Sequence, residues 1–165
     1  MSQKTTWQDA GFFNEEINVA VAMDQLNDHV QQMPGRFEKF SKEELQSKSA
    51  HNKWSRLEIL GHLIDSAINN LKRFTEIQFH PQPYKVVSYQ QNELVAVNNY
   101  QNLPVAHLLD LWKSLNQQII YVVKNIPQEK LNFTVDPQYD NNEMKSLGWI
   151  ICDYVAHLEH HLKQL

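Results

Sequence analysis

The chain has 165 residues, of which 42% are hydrophobic and 21% charged, a balance that excludes a disordered segment and suits one domain over residues 1–165. A net charge of −4, with no long basic run, removes the electrostatic basis for binding nucleic acid. A single cysteine, Cys152, excludes an internal disulfide and a cysteine-rich zinc site, and four glycines suit helices better than a many-turned sheet.

No apolar run reaches the roughly 20 residues that cross a bilayer. The opening MSQKTTWQDAGFFNEE has neither the basic start nor the apolar core of a signal peptide. The expectation is a cytoplasmic protein with no membrane partner.

Apolar residues recur with helical period in four places. Phe12, Val19, Met23, Leu26, Val30 and Met33 mark the first helix, and Pro34-Gly35 is expected to end it. Ser41 with Glu44 reads as a capping box for a short helix. Ser55 with Glu58 is a second capping box, opening the second long helix. Its apolar side is Leu57, Leu60, Ile64, Ala67, Ile68, Leu71 and Phe74, and it runs to about Gln78, before Pro81 and Pro83. A long crossover from Tyr84 to Asn102 follows, with a shorter helix between Ser88 and Tyr100, and is a candidate lid. Pro104 fits the first turn of the third long helix, whose stripe is Val105, Leu108, Trp112, Leu115, Ile119, Val122 and Ile126. After Pro127 and the polar loop DPQYDNNE, Ser146 caps the fourth, with Ile151, Tyr154, Val155, Leu158, Leu162 and Leu165 on its core face. Four such helices with one long connection between the second and third predict an all-α four-helix bundle.

Chemistry concentrates in the histidines. His157 and His161, four apart on the last helix, lie about 40° apart on a helical wheel and can grip one ion. A third imidazole from a neighbouring helix, His62, would complete a three-histidine site with a position left for water or substrate. His160 points about 100° away from His161 and falls outside the set. His62 shares a polar strip with Glu58, Asp65, Asn69 and Arg73, opposite the main apolar stripe. Such a strip belongs either to a solvent face or to the wall of a wet cleft, and the sequence admits both. His29, His51, His80 and His107 have no partner at useful spacing and read as surface or boundary residues. Asp65 and Asp153 are candidates to orient imidazoles, Asp153 alternatively for a surface hydrogen bond to His157. Trp54, Trp112 and Trp149 read as core anchors, and Cys152, on the far side of its helix, as a packed residue rather than a nucleophile.

The stretch N-K-W-S-R-L-E-I-L-G-H-L-I-D-S resembles the second-helix motif of the DinB-like superfamily, and H-L-E-H-H-L-K-Q-L its closing H-x-x-x-H helix. P-Y-K-V-V-S-Y and the third helix suit the YfiT-like branch. The resemblance implies a divalent metal, nickel or zinc, on His62, His157 and His161, and a homodimer. It further implies a metal-dependent enzyme acting on a small molecule. Its leading form joins a low-molecular-weight thiol to an electrophile, with Asp65 or Glu58 as base or orienter. A hydrolase using water is the alternative, and a non-catalytic dimeric helical module is the third reading.

Overall fold

The computed structural model describes residues 11–139 and 141–165. Its long helices are α1 (Val19–Phe37), α3 (Arg56–Glu76), α5 (Val105–Lys124) and α6 (Leu147–Leu162). Between them lie the short helices α2 (Lys42–Gln46) and α4 (Gln91–Val97) and two 3-10 turns, Tyr100–Asn102 and Gln128–Asn132. Helices α1 and α3 each pack on both α5 and α6, so α1 and α3 occupy opposite corners of a four-helix bundle. Each of the two connections, α1 to α3 and α5 to α6, therefore crosses a diagonal. This ordering seats α3 beside α6 although 70 residues of chain separate their facing ends.

Helix starts follow the sequence signals. Ser41 accepts from Glu44 N and Ser55 from Glu58 N, and each glutamate returns a bond to the cap's own amide. Ser146 accepts from Trp149 N and fixes the start of α6. Pro104 stands at the N-cap of α5, one residue before the helix proper.

Three expectations need correction. Phe12 is not on α1, which begins at Val19 behind Asn18, whose side chain accepts from Val21 N. The amides of Phe12 and Phe13 are instead captured by Asp153 of α6, which holds this segment off the helix. Pro34 does not end α1 either. The helix runs through it to Phe37, with Pro34 O accepting from Glu38 N at 3.0 Å. Met33 and Phe37 are buried one turn apart, and burying a phenylalanine there offsets a proline's cost of about 3 kcal/mol. Ile68 is 48% exposed rather than in the core.

A small sheet ties the two long loops together. β1 (Tyr84–Lys85) pairs parallel with β2 (Thr134–Asp136), in register Tyr84↔Val135, and β2 pairs antiparallel with β3 (Lys145–Ser146). The crossover is thereby fastened to the entrance of α6. Among the described residues no helix is long and apolar enough to cross a membrane.

The core runs through Leu26, Leu60, Ile64, Phe74, Leu108, Trp112, Ile119 and Leu158. Around Gly61 it has no slack. A Cβ built there would overlap the ring of Tyr100, which the left-handed Asn99 (φ 55°) turns onto α3. A Gly61→Ala substitution gains about 0.5–1 kcal/mol of helix propensity but displaces an aromatic ring, an overpacking cost of about 1–3 kcal/mol. The expected result is a net loss of stability in urea unfolding. An unchanged midpoint would show that Tyr100 yields freely.

Candidate metal centre

His62 lies on α3 two turns beyond the Ser55 cap, and His157 and His161 lie one turn apart near the end of α6. Their ring nitrogens converge. His157 Nε2 stands 3.1 Å from His62 Nε2 and 3.1 Å from His161 Nε2. One donor atom from each of the three lies within 4.8 Å of the others. Three nitrogens on one tetrahedral ion at about 2.0–2.1 Å would stand about 3.3 Å apart.

The chemistry of the donors agrees with that spacing. A neutral imidazole has one N–H and one lone pair, so a single lone pair on His157 Nε2 is a poor common acceptor for two facing rings. An electron-pair acceptor placed between the rings would satisfy all three nitrogens at once. The residues present therefore fit a divalent ion.

Burial keeps the donors neutral. Loss of solvation, helped by repulsion from His161, pulls His62 down to about 3. The same cause, then repulsion from His160, takes His161 to about 4, and burial holds His157 well below the ordinary range. Uncharged imidazole is the ligand form, so no proton need be displaced near neutral pH.

The surroundings include residues that the sequence did not single out for the site. Trp54 stacks against His62 with centroids 4.8 Å apart and reaches His161 at 6.3 Å, so it walls the centre. Phe12 meets His157 edge-on at 5.2 Å. Ser66 Oγ lies 3.4 Å from His157 Nδ1. Ser66 falls four residues after His62 on one helix face, a spacing that is readable in sequence. Trp54 and Phe12 arrive from segments outside the long helices and carry no such signal. Trp112 is the core anchor expected of it, while Trp149 packs on Phe13 and Tyr139.

The carboxylates are placed as follows. Glu58 bonds the Ser55 amide through one oxygen and pairs with Lys48 at 2.8 Å through the other. Asp65 Oδ1 accepts from Tyr100 Oη at 2.7 Å and from Asn98 Nδ2 at 3.2 Å. Its Oδ2 is buried without a hydrogen-bond partner, as is Nδ1 of His62 one turn earlier. Asp153 binds the Phe12 and Phe13 amides at 2.5 and 2.8 Å, and burial raises its carboxyl to about 6 against the lowering effect of those bonds. His160 is exposed and outside the cluster, and Cys152 is buried. Of the remaining histidines, His29 pairs with Glu159 at 3.0 Å, and His51, His80 and His107 are exposed.

On one side the centre opens into a cavity of ≈ 300 Å³. Its walls are the α3 face (Ser66, Asn70, Arg73), the α6 face (Ile150, Asp153, Tyr154, His157), the crossover (Val86 to Gln91) and the Pro137–Tyr139 loop.

The family model described as the DinB superfamily matches residues 25–165. The chain belongs to the DinB superfamily. A Halalkalibacterium halodurans protein named "Putative metal-dependent hydrolase" is 27% identical over 122 residues, 74% of this chain and 69% of its own. Among solved structures, this DinB chain matches Bacillus subtilis YfiT, described as "a probable metal-dependent hydrolase with an unusual four-helix bundle topology". The TM-score is 0.79 and identity 16%, over 91% of this chain and 85% of YfiT. A mycothiol-dependent maleylpyruvate isomerase matches with TM-score 0.62 and 14% identity, over 89% of this chain but 60% of that one. The DinB chain thus spans less than two thirds of the isomerase.

The pH dependence of stability follows from the histidines. Their folded pKa values lie below the unfolded value of about 6.5, so the unfolded chain binds more protons as pH falls through 6.5. Metal-free protein should therefore lose stability from pH 7 to 5, by on the order of 1 kcal/mol per unit for each fully buried group. Asp153, with its raised pKa, acts in the opposite sense but equally in wild type and variants. Urea midpoints of wild type should fall more steeply over that range than those of a His157→Gln/His161→Gln variant. Parallel slopes would mean that the imidazoles are not held neutral.

Proposed function

We propose that this DinB chain is a metal-dependent enzyme in which His62, His157 and His161 hold one divalent ion. Its activity is the transfer of a low-molecular-weight thiol to an electrophilic small molecule. The observation that carries the reading is the convergence of three neutral imidazoles, His157 among them facing a cavity large enough for a small organic ligand. Imidazole donors suit nickel and zinc alike. A divalent ion held there supplies Lewis acidity, lowering the pKa of a thiol or water that it binds.

The chain's own residues supply position and exclusion of water. Trp54 covers one side of the ligands, and Phe12, held by Asp153, covers His157. The crossover and the Pro137–Tyr139 loop, joined through β1 and β2, close the cavity around the reacting molecules. Asp65 supports the site by anchoring Tyr100 against Gly61, and Glu58 by capping α3. Neither is assigned a proton transfer.

Thiol transfer is placed ahead of hydrolysis because the nearby carboxylates are largely committed to the fold: Glu58 caps α3, Asp153 tethers the Phe12 segment, and Asp65 accepts from Tyr100 through Oδ1, its buried Oδ2 alone lacking a partner. A divalent ion held there would lower the pKa of a bound thiol and of a bound water alike, so the two activities are separated by assay. The hydrolase reading is kept alive by the names of the relatives in Halalkalibacterium and Bacillus.

Purified protein should contain about one divalent ion per chain by elemental analysis. A His157→Ala/His161→Ala variant should lose it. Equal metal content in the two would remove the metal reading. Metal-loaded protein incubated with glutathione, bacillithiol or mycothiol and a model electrophile should form adduct at a rate that chelation abolishes. Chelator-sensitive cleavage of amide or ester panels, with no thiol adduct, would replace transfer by hydrolysis.

A further inference from the structure

One face of α3 carries four polar residues, His62, Ser66, Asn70 and Arg73, at spacings of four, four and three. The contacts along it are continuous. Ser66 Oγ lies against His157 Nδ1 at 3.4 Å, Asn70 Nδ2 bonds Ser66 O at 2.9 Å, and Arg73 Nη1 meets Asn70 Oδ1 at 3.4 Å. The cavity runs along this face from the metal centre to Arg73.

Arg73 is an unusual cation to leave there. It is half-buried, and among the described residues no carboxylate forms an ion pair with it. Its Nη2 donates to Val87 O at 2.9 Å, and the guanidinium lies 5.6 Å from the centre of the Tyr89 ring. These contacts hold the fork in place and, among the described residues, leave its charge without an acidic partner. Asp153, the acid in the same cavity wall, directs Oδ1 to the amides of Phe12 and Phe13. A partly desolvated arginine without a counter-charge is costly unless an anion joins it. Its planar fork matches a carboxylate or phosphate.

We propose that Arg73 is a binding residue for an anionic group on the molecule that reacts at the three-histidine centre, so that the ligand is elongated, with its reacting atom at His157 and its anion at Arg73. Eleven residues of helix span about 16 Å, and an arginine side chain leaning back toward the N-terminus shortens this to roughly 10 Å. The class is therefore a small thiol or electrophile with a carboxylate or phosphate several bonds from its reactive atom. The reacting end rests on the metal-enzyme reading, whereas the anion end does not.

The test uses matched probes in calorimetric titrations at low salt. Metal-loaded wild type should bind 6-mercaptohexanoate about ten- to a hundredfold tighter than 6-mercaptohexanol. Arg73→Gln should bring the two within about threefold, and Arg73→Lys, which keeps charge but not the fork, should retain part of the preference. If Arg73→Gln does not fold, the wild-type and lysine comparisons decide. Hexanoate, hexyl phosphate and hexanol are titrated in parallel into the His157→Ala/His161→Ala variant. A retained anion preference there supports the Arg73 site whatever the fate of the metal reading. Tighter binding of hexyl phosphate than hexanoate assigns the anion as phosphate, and the reverse as carboxylate. Equal affinity of acid and alcohol for wild type, an unchanged preference in Arg73→Gln, or no anion binding by any form would overturn the proposal.

Discussion

The contact of α3 with α6 brings three uncharged imidazoles tip to tip, and much of the remaining structure serves to sustain it. Aligned ring nitrogens with few partners are an unfavourable thing to bury. The fold bears this because α3 is packed on nearly every side between Leu57 and Ala67. Helices α5 and α6 take two of its faces, and α2, α4 and the Tyr100 turn take the others. Gly61 lets Tyr100 lie directly on the helix next to His62, and the Tyr100 hydroxyl then locks onto Asp65. Rigidity at the base of His62 thus comes from a glycine and a tyrosine that have no direct part in binding.

The centre is closed on one side and open on the other. Trp54 lies over His62 just ahead of the Ser55 cap, so the signal that begins α3 also sets a wall of the site. The open side faces a cavity whose far rim is made of loops. Those loops are held by main-chain pairing of β1 with β2 and by the Arg73 bond to Val87 O, devices that fix backbone without filling the space. Asp153 works in the same way from α6, trading a surface position for two backbone amides of the Phe12 segment.

Much of the architecture was legible in the chain. Capping boxes at Ser41 and Ser55 and the cap at Ser146 stand where serine and glutamate spacing puts them, because a cap is a local hydrogen bond within four residues. The packed state of Cys152 and the outward turn of His160 followed from helical phase alone. What failed did so for non-local reasons. Pro34 reads as a stop, but the buried face that includes Phe37 carries α1 past it. Phe12 fits the apolar period of α1, but an aspartate 141 residues away holds it elsewhere. Ile68 matches the stripe of α3, yet no neighbouring helix covers that part of the face. The three strands, two or three residues each, are too short to show a period of their own.

The sequence by itself determined four long helices, the serine-capped starts of α3 and α6, the pair His157–His161 on one face of the last, and a polar strip of Glu58, His62, Asp65, Asn69 and Arg73 on α3. These depend on spacing along one chain segment, which helical geometry converts directly into direction. Only the tertiary structure decided that Arg73, alone of that strip, lines the cavity, beside Ser66 and Asn70. It also decided that His62 meets the α6 pair and that Arg73 stands in the adjoining cavity with no carboxylate paired to it among the described residues. Those outcomes depend on which helices become neighbours, and the diagonal connections that seat α3 against α6 are set by packing summed over the whole bundle.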